Sequence, residues 1–273
     1  MSPGSTRPTY RVPPGGKFRL ADVDPDANSG HGTKTNSDAR LAGLVARVSE
    51  LQERLWAEHT RALLVVFQAI DAGGKDGCIE KVFTGVNPAG VQVSSFKAPS
   101  AEELAHDYLW RIHAHTPGRG TIGVFNRSHY EDVLVVRVKG FVTKKTWRAR
   151  YDQINEWERM LHENGTGIVK FFLHISRAEQ AARFRARLAD PSKHWKFAKA
   201  DLGERERWDD YQAAFEDALR HCSTSYAPWH CVPSNAKWYR NLVVAQTLVD
   251  TLEAMDPRYP EPEPGLDQIV IPD

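Results

Sequence analysis

Residues 67–77 read Phe-Gln-Ala-Ile-Asp-Ala-Gly-Gly-Lys-Asp-Gly and directly follow the apolar run 63–67. A glycine-rich turn that carries a lysine after a strand is typical of a P-loop. Its backbone N–H groups turn inward around phosphate oxygens, and the lysine reaches the outer phosphates. The alternative is a strand followed by an ordinary glycine turn. We expect a phosphate-binding loop here, formed by Gly73, Gly74, Lys75, Asp76 and Gly77.

The loop departs from the usual GxxxxGK[ST] pattern. Ala69 replaces the first glycine, and Asp76 stands where a serine or threonine would hold magnesium. Asp71 places a carboxylate inside the loop, where it would repel phosphates unless a metal ion lay between them. These departures argue against an ordinary ATPase and predict a site for Mg²⁺, or for Mn²⁺ in its place, at Asp71.

Composition limits the remaining classes of function. The 273 residues suffice for one large core, and 36 Lys and Arg against 35 Asp and Glu give a net charge of +1. A polyanion must therefore be met by a local patch of positive charge. No apolar run approaches the roughly 20 residues that span a bilayer, the first residues lack a secretory signal, and three cysteines argue against a disulfide framework. We expect a cytoplasmic protein without a membrane partner.

Apolar runs alternate with segments of helical periodicity. The expected strands are 63–67, 91–96, 121–125, 168–173 and 229–233. The expected helices are 41–55, 79–83, 100–113, 128–138, 146–163, 176–188 and 238–255. This alternation predicts an α/β fold with a five-stranded parallel sheet, helices on both faces and ligands at the carboxyl ends of the strands.

Composition also divides the chain into three parts. Residues 1–36 are rich in Pro, Gly, Ser, Thr and Asp and predict a flexible N-terminal arm. Residues 37–256 predict one α/β domain with an inserted lid at about 190–215. Residues 257–273 form a Pro-rich C-terminal tail.

The apolar third strand ends in polar and acidic residues, as a Walker B element does. Asn126 at its tip is neutral, so a metal-binding carboxylate would come from Glu131 or Asp132. Arg127 is suited to a bidentate grip on a phosphate. The alternative is an exposed helix start, where the helix dipole favours acidic residues.

A basic segment follows the helix at 176–188. Glu179 and Arg183 form an ordinary i,i+4 pair, which by itself indicates a solvated helix face. Beyond Pro191, three lysines interleave with two aromatic residues between 193 and 199. This pattern is typical of a lid that closes cations over phosphates. A nucleic-acid groove has a similar pattern, but the glycine loop requires terminal phosphates.

With these segments the chain resembles the family-2 polyphosphate kinases over about residues 40–255. The matching motifs are Asp71-Ala-Gly-Gly-Lys-Asp-Gly77, Gly85-Val-Asn-Pro88, Ser94-Ser-Phe-Lys-Ala-Pro99, Phe125-Asn-Arg-Ser-His-Tyr-Glu131 and Asp190-Pro-Ser-Lys-His-Trp-Lys196. The resemblance implies a P-loop kinase-like three-layer fold with a helical lid. It also implies Mg²⁺-dependent phosphoryl transfer between inorganic polyphosphate and a nucleotide. The chain is most similar to class III members, which accept AMP as well as ADP, and the resemblance suggests a homo-oligomer.

Candidate roles follow for individual residues. The predicted catalytic set is Asp71, Lys75, Arg127 and Arg187. Besides the loop, the lysines expected along polyphosphate are Lys81, Lys97, Lys193 and Lys196. The candidates for nucleotide contact are Arg111, Asn126, Arg127, His129, Tyr130 and Glu131. Asp71 and Asp132 are the predicted metal ligands, because Asp132 can supply the acid that many members have in place of Asn126.

Two other functions stay open from the sequence. One is an ATP-dependent nucleotide or small-molecule kinase on the same fold. The other is a non-catalytic protein that binds polyanions, including nucleic acid, although a carboxylate beside the loop lysine adds nothing to anion binding. We expect no nucleic-acid partner. Acceptor preference among AMP, ADP and guanine nucleotides, the direction of transfer and the choice between Glu131 and Asp132 are not decided by the sequence.

Overall fold

A computed structural model describes residues 7–272 of the chain. Five parallel strands form one sheet in the order β2-β3-β1-β4-β5. They are β1 (Ala62–Gln68), β2 (Val91–Ser95), β3 (Ile122–Asn126), β4 (Thr166–His174) and β5 (Trp229–Pro233). The predicted five-stranded parallel sheet is confirmed.

Ten helices alternate with these strands among the described residues. They are α1 (Ser37–Glu58), α2 (Lys75–Phe83), α3 (Ala101–Leu104), α4 (Trp110–His113), α5 (Val135–Val138), α6 (Lys144–Glu163), α7 (Arg177–Ala189), α8 (Ala200–Glu206), α9 (Trp208–Cys222) and α10 (Lys237–Met255). No helix within residues 7–272 combines the length and apolar character that crossing a membrane requires.

The sheet is covered on both faces, which produces the predicted three layers. Leu64 and Val66 of β1 belong to the apolar layer shared with α6 and α9. Leu63 and Val65 face the opposite way, into the layer shared with α1, α2 and α10. All four side chains are fully buried. A strand buried on both faces needs an unbroken apolar run, and this is why the central strands could be recognised from the sequence.

Residues 7–36 differ from the expected flexible arm. The Val12 N–H donates to the carbonyl of Trp229 at 2.8 Å, next to an antiparallel bridge to β5. The side chains of Val12 and Leu20 are buried. Covering β5 in this way satisfies backbone groups that an open sheet edge would expose. Residues 1–6 of the predicted arm lie outside the described residues.

Two predicted helices are interrupted. The segment 100–113 forms α3 and α4, separated at Asp107, whose carboxylate accepts from the Leu109 N–H at 3.0 Å. The segment 128–138 forms a 3-10 turn and then α5, separated at Leu134, where the backbone leaves the helical region. Local turns break both helices although the apolar periodicity continues across them.

The region predicted as a lid contains two different parts. Residues 190–206, here called the lid segment, comprise the 3-10 turn Pro191–Lys196 and α8, and none of the residues in these two elements is buried. The next helix, α9, begins at Trp208 and packs in the core through residues such as Phe215. Residues 208–215 therefore belong to the helical layer. The C-terminal tail contains a 3-10 turn at Leu266–Gln268, and residue 273 lies outside the described residues.

Candidate active site

The loop between β1 and α2 is tightly folded. Ala72 and Gly74 have positive φ angles of 61° and 94°, and the Gly73 N–H donates to the carbonyl of Ile70 at 2.9 Å. A Cβ at Gly73 would lie 2.4 Å from the Cβ of Ala69, so only glycine fits there. Backbone that passes through such angles before a helix presents successive N–H groups to one concave space, which binds anions.

The carbonyl groups on the loop are held from behind by α7. The Arg183 Nη1 donates to the carbonyls of Ala72 and Gly73, both at 2.9 Å. Its Nη2 donates to the carbonyl of Ser234 at 2.6 Å, and its Nε donates to Glu179 at 2.7 Å. The residue is 8% exposed. A rigid guanidinium that binds several carbonyls fixes the peptide planes of the loop.

Arg183 corrects the sequence interpretation, which treated Glu179 and Arg183 as an ordinary pair on a solvated helix face. The signal for its role was available in the spacing. Gln180, Arg183 and Arg187 lie three and four residues apart, so they share one face of α7. Gln180 donates from Nε2 to the carbonyl of Asp71 at 2.9 Å. This polar face of α7 therefore lies against the loop.

Residues at the end of β3 pair with acids of the loop. The Arg127 Nη2 donates to Asp71 Oδ1 at 3.1 Å, and the Asn126 Nδ2 donates to Asp76 Oδ1 at 2.6 Å. The φ angle of Arg127 is 62°, and its N–H donates to the carbonyl of Phe67 at 3.1 Å. Adjacent strands β1 and β3 thus bring the two predicted segments together at one edge of the sheet.

The charges at this edge influence one another. Desolvation lowers the pKa of Lys75 and nearby Arg127 lowers it further, although the surrounding carboxylates oppose this shift. Desolvation also disfavours the charge on Arg127, but Glu131 and Asp71 outweigh it and raise the pKa of Arg127. Glu131 lies four residues after Arg127, in the 3-10 turn His129–Asp132, and its charge acts on both cations. The Lys75 Nζ donates to the carbonyl of Ala69 at 3.2 Å.

A cleft of about 360 Å³ lies over the loop. Its walls come from the loop, from residues 95–97 at the end of β2 and just beyond it, from the end of β3, and from α7 and the lid segment. The cations that line it are Lys75, Lys97, Arg127, Arg187 and Lys196, and the carboxylates are Asp71, Asp76 and Asp201. Arg187 donates to the carbonyl of Lys196 at 3.0 Å, which joins α7 to the lid segment.

The sequence predicted that His129 and Tyr130 contact a nucleotide, but neither residue is placed to do so. Both are fully buried, and both bind Glu158 Oε1, at 3.2 Å and 2.9 Å. Lys170 completes the network by pairing with Glu158 and donating to the Tyr130 hydroxyl at 2.8 Å. Desolvation opposes the charge on Glu158, yet Lys170 and His129 outweigh it and lower the pKa of Glu158. The network anchors the segment that carries Arg127.

Asp132 and Arg111 are also not placed for the roles that the sequence predicted for them. Asp132 Oδ1 accepts from Arg150 at 2.9 Å and is not among the residues lining the cleft. Burial raises the pKa of Asp132 to about 6. Arg111 donates to Glu103 at 3.0 Å and to the carbonyl of Lys97 at 2.8 Å. It supports the strand end that carries Lys97 and does not face the cleft directly.

The four predicted polyphosphate lysines separate into two pairs. Lys97 and Lys196 line the cleft. Lys81 is exposed on α2, and Lys193 is exposed and paired with Asp190 at 2.6 Å. Lys81 and Lys193 are not among the residues lining the cleft.

The acids near the loop fit a divalent metal that is held in part by its substrate. Within residues 7–272, no group of three or more His, Cys, Asp and Glu side chains forms a ready metal cage. Mg²⁺ is commonly held by one or two carboxylates together with phosphate oxygens and water. Asp71 and Asp76 line the cleft and offer hard oxygen ligands. The carboxylate of Asp132 does not fit, because it is not among the residues lining the cleft and it pairs with Arg150 instead.

The sheet order, the glycine loop and the cationic cleft define an α/β protein of the P-loop kinase type. The family model for polyphosphate kinase 2 (PPK2) matches residues 32–260. The chain belongs to this family.

Individual relatives agree with this assignment. The chain is 53% identical over 263 residues to an AMP/ADP-polyphosphate phosphotransferase of Meiothermus ruber, covering 96% of this chain and 98% of that protein. It is 45% identical to an ADP-polyphosphate phosphotransferase of Rhodopseudomonas palustris, covering 94% and 93% of the two chains. The crystal structure of polyphosphate kinase 2 from Arthrobacter aurescens is similar with a TM-score of 0.90 at 46% identity. That similarity covers 93% of this chain and 91% of the other.

Proposed function

We propose that this protein transfers the terminal phosphoryl group of inorganic polyphosphate to AMP and to ADP, forming ADP and ATP. The cleft over the loop carries the proposal, because five cationic side chains from five different segments line it. In a chain whose net charge is +1, such a local concentration of positive charge indicates a ligand with many negative charges. The names of relatives at 53% and 45% identity supply the substrates.

Each transfer forms a P–O bond to a phosphate oxygen of the acceptor and breaks the bond that joins the terminal phosphoryl group to the chain. The acceptor oxygen is ionised near neutral pH, so the reaction needs no general base. Catalysis then consists of positioning and charge neutralisation. Lys75 and the loop N–H groups hold phosphoryl oxygens, while Arg127 and Arg187 neutralise charge in the transition state. One phosphoanhydride replaces another, so concentrations set the direction.

Asp71 is the principal candidate to hold Mg²⁺ or Mn²⁺, with Asp76 of the same cleft and Glu131 of the 3-10 turn after β3 as further candidates. The lining of the cleft and the effect of Glu131 on Arg127 support this choice over Asp132. The ion would shield the negative charges of donor and acceptor from each other. Asp71 itself orients Arg127 through their 3.1 Å contact.

The remaining candidate residues divide between the two substrates. Asn126 and Arg127 line the cleft, Glu131 follows them in the 3-10 turn after β3, and these three are the candidates for contact with the nucleotide. Lys97, from the segment after β2, and Lys196, from the lid segment, also line the cleft and would bind polyphosphate beyond the reacting group. The lid segment supplies Lys196 and would exclude water from the reacting phosphates.

The test uses polyphosphate as the sole phosphoryl donor. Purified protein, Mg²⁺, polyphosphate and AMP are mixed, and the nucleotides are separated by ion-exchange chromatography over time. The proposal predicts ADP followed by ATP, and no product once a chelator exceeds the metal. Product that forms only when ATP replaces polyphosphate would identify an ATP-dependent kinase. Salt-sensitive binding of polyphosphate without any product would identify a polyanion-binding protein.

A further inference from the structure

Gln180 on α7 connects the lid segment to the phosphate-binding loop. Its Nε2 donates to the carbonyl of Asp71 at 2.9 Å, and its Oε1 accepts from the Arg205 Nη1 of α8 at 2.8 Å. The residue is 1% exposed. A buried amide that binds on one side to the loop and on the other side to the lid segment can transmit the position of one to the other.

The chemistry of the two partners fixes the orientation of this amide. A backbone carbonyl can only accept a hydrogen bond, and a guanidinium can only donate one. With the amide rotated by 180°, its NH₂ would face the guanidinium and its oxygen would face the carbonyl of Asp71. Neither hydrogen bond could form with the amide in that rotated orientation. The two contacts of Gln180 therefore depend on each other, and loss of Arg205 removes the partner that holds the amide in the orientation that the carbonyl of Asp71 requires.

Both ends of the connection are anchored. Arg205 Nη1 also donates to the carbonyl of Arg177 at 2.8 Å, so α8 is attached to the start of α7. At the other end, the carboxylate of Asp71 accepts from Arg127 at 3.1 Å. Gln180 therefore holds the backbone of Asp71 while Arg127 holds its side chain.

We propose that Gln180 is a positioning residue that couples docking of α8 to the geometry of Asp71. The rate of phosphoryl transfer then depends on Arg205 through Gln180, although neither residue lines the cleft. This inference uses the proposed function for its rate measurements. Lid docking is measured separately and does not require activity.

The test is a double-mutant cycle with Gln180→Leu, Arg205→Met and the double variant. Each single change removes the connection, so we expect each to lower kcat about 5- to 10-fold, the scale of one lost hydrogen bond. The KM for AMP should change less than 3-fold, because neither residue contacts the cleft. The double variant should be no more than 2-fold worse than the worse single variant. A double variant whose loss of kcat equals the product of the two single losses would overturn the proposed coupling.

A matched control removes a charge near Arg205 without touching the connection. Arg185 lies on α7, is exposed, and is one of the cations whose charge acts on Arg205. We expect Arg185→Met to leave kcat within 2-fold of wild type and to combine multiplicatively with Gln180→Leu. A loss of activity as large as that of Arg205→Met would show that charge alone matters, which contradicts the proposal.

Limited trypsin digestion reports lid docking without any turnover. The exposed lysines 193, 196 and 199 of the lid segment are the cleavage sites, located by mass spectrometry. We expect Arg205→Met and Gln180→Leu to accelerate cleavage there at least 5-fold. The isosteric Gln180→Glu keeps an acceptor for Arg205 but loses the donor to Asp71, so it should lower kcat without faster cleavage. Unchanged cleavage in Gln180→Leu would overturn the inference even if wild type showed no polyphosphate-dependent activity.

Discussion

Replacing Arg183 with methionine tests whether the loop is held in place from behind by α7. The substitution removes three hydrogen bonds of 2.6–2.9 Å to the carbonyls of Ala72, Gly73 and Ser234. Each buried acceptor left without a partner costs about 1–3 kcal/mol. This cost is reduced because burying methionine does not require the desolvation of a charge. The carboxylate of Glu179, which is 27% exposed, can also bind water in place of Arg183. We therefore expect the free energy of unfolding to fall by about 3–5 kcal/mol.

The same substitution should lower kcat by about 10²-fold, because a displacement of about 1 Å in a positioning group has this effect. Urea unfolding followed by circular dichroism gives the stability, and initial rates with polyphosphate and AMP give kcat. Arg183→Lys keeps the charge but cannot bind several carbonyls at once, so it should recover little activity. Arg185→Met, on the exposed face of α7, is the control. An Arg183→Met protein with the stability and kcat of that control would refute the reasoning.

Two further predictions concern acids beside the cleft and histidines in the core. Glu131→Gln should lower the initial rate at least 10-fold, the scale of one lost electrostatic contact. Asp132→Asn should stay within about 3-fold, because Arg150 binds Asp132 away from the cleft. A larger loss of rate in Asp132→Asn than in Glu131→Gln would contradict this placement of the two acids. Burial lowers the pKa values of His174 and His230 to about 4. Their contribution to stability is complete above pH 6.5 and is lost as the pH falls towards 4, by about 2 kcal/mol per histidine at pH 5. Urea unfolding at pH 7.5 and 5 measures this loss as a difference in the free energy of unfolding. Replacing either histidine with Asn should make that difference smaller, and an unchanged difference would contradict the prediction.

The sequence revealed the sheet because its central strands are buried on both faces. The run 63–67 is continuously apolar, and such runs separated by helical periodicity predict parallel strands. The interruptions at Asp107 and Leu134 could not be predicted, because a local turn leaves the apolar periodicity intact. The same limit applies to residues 7–36. Their polar composition suggested flexibility, although Val12 and Leu20 are buried.

Part of the candidate site could likewise be predicted from the sequence, and part could not. The glycine spacing and Lys75 identify the loop directly, since few other structures need that pattern. His129 and Tyr130 could not be placed from the sequence, because their burial depends on Glu158 and Lys170, which come from a distant helix and strand. Polar residues beside a ligand and polar residues in a buried network have the same composition. Only the tertiary contacts distinguish them.

The most direct test of the account is the activity of Lys75→Ala with polyphosphate as the only donor. The reacting phosphoryl group is expected at the loop, where Lys75, Arg127 and Asp71 line the same cleft. We expect the variant to keep the circular dichroism spectrum of wild type and to form ADP from AMP at least 10²-fold more slowly, the scale of losing one preorganised donor. A folded variant with near wild-type turnover would contradict the central claim.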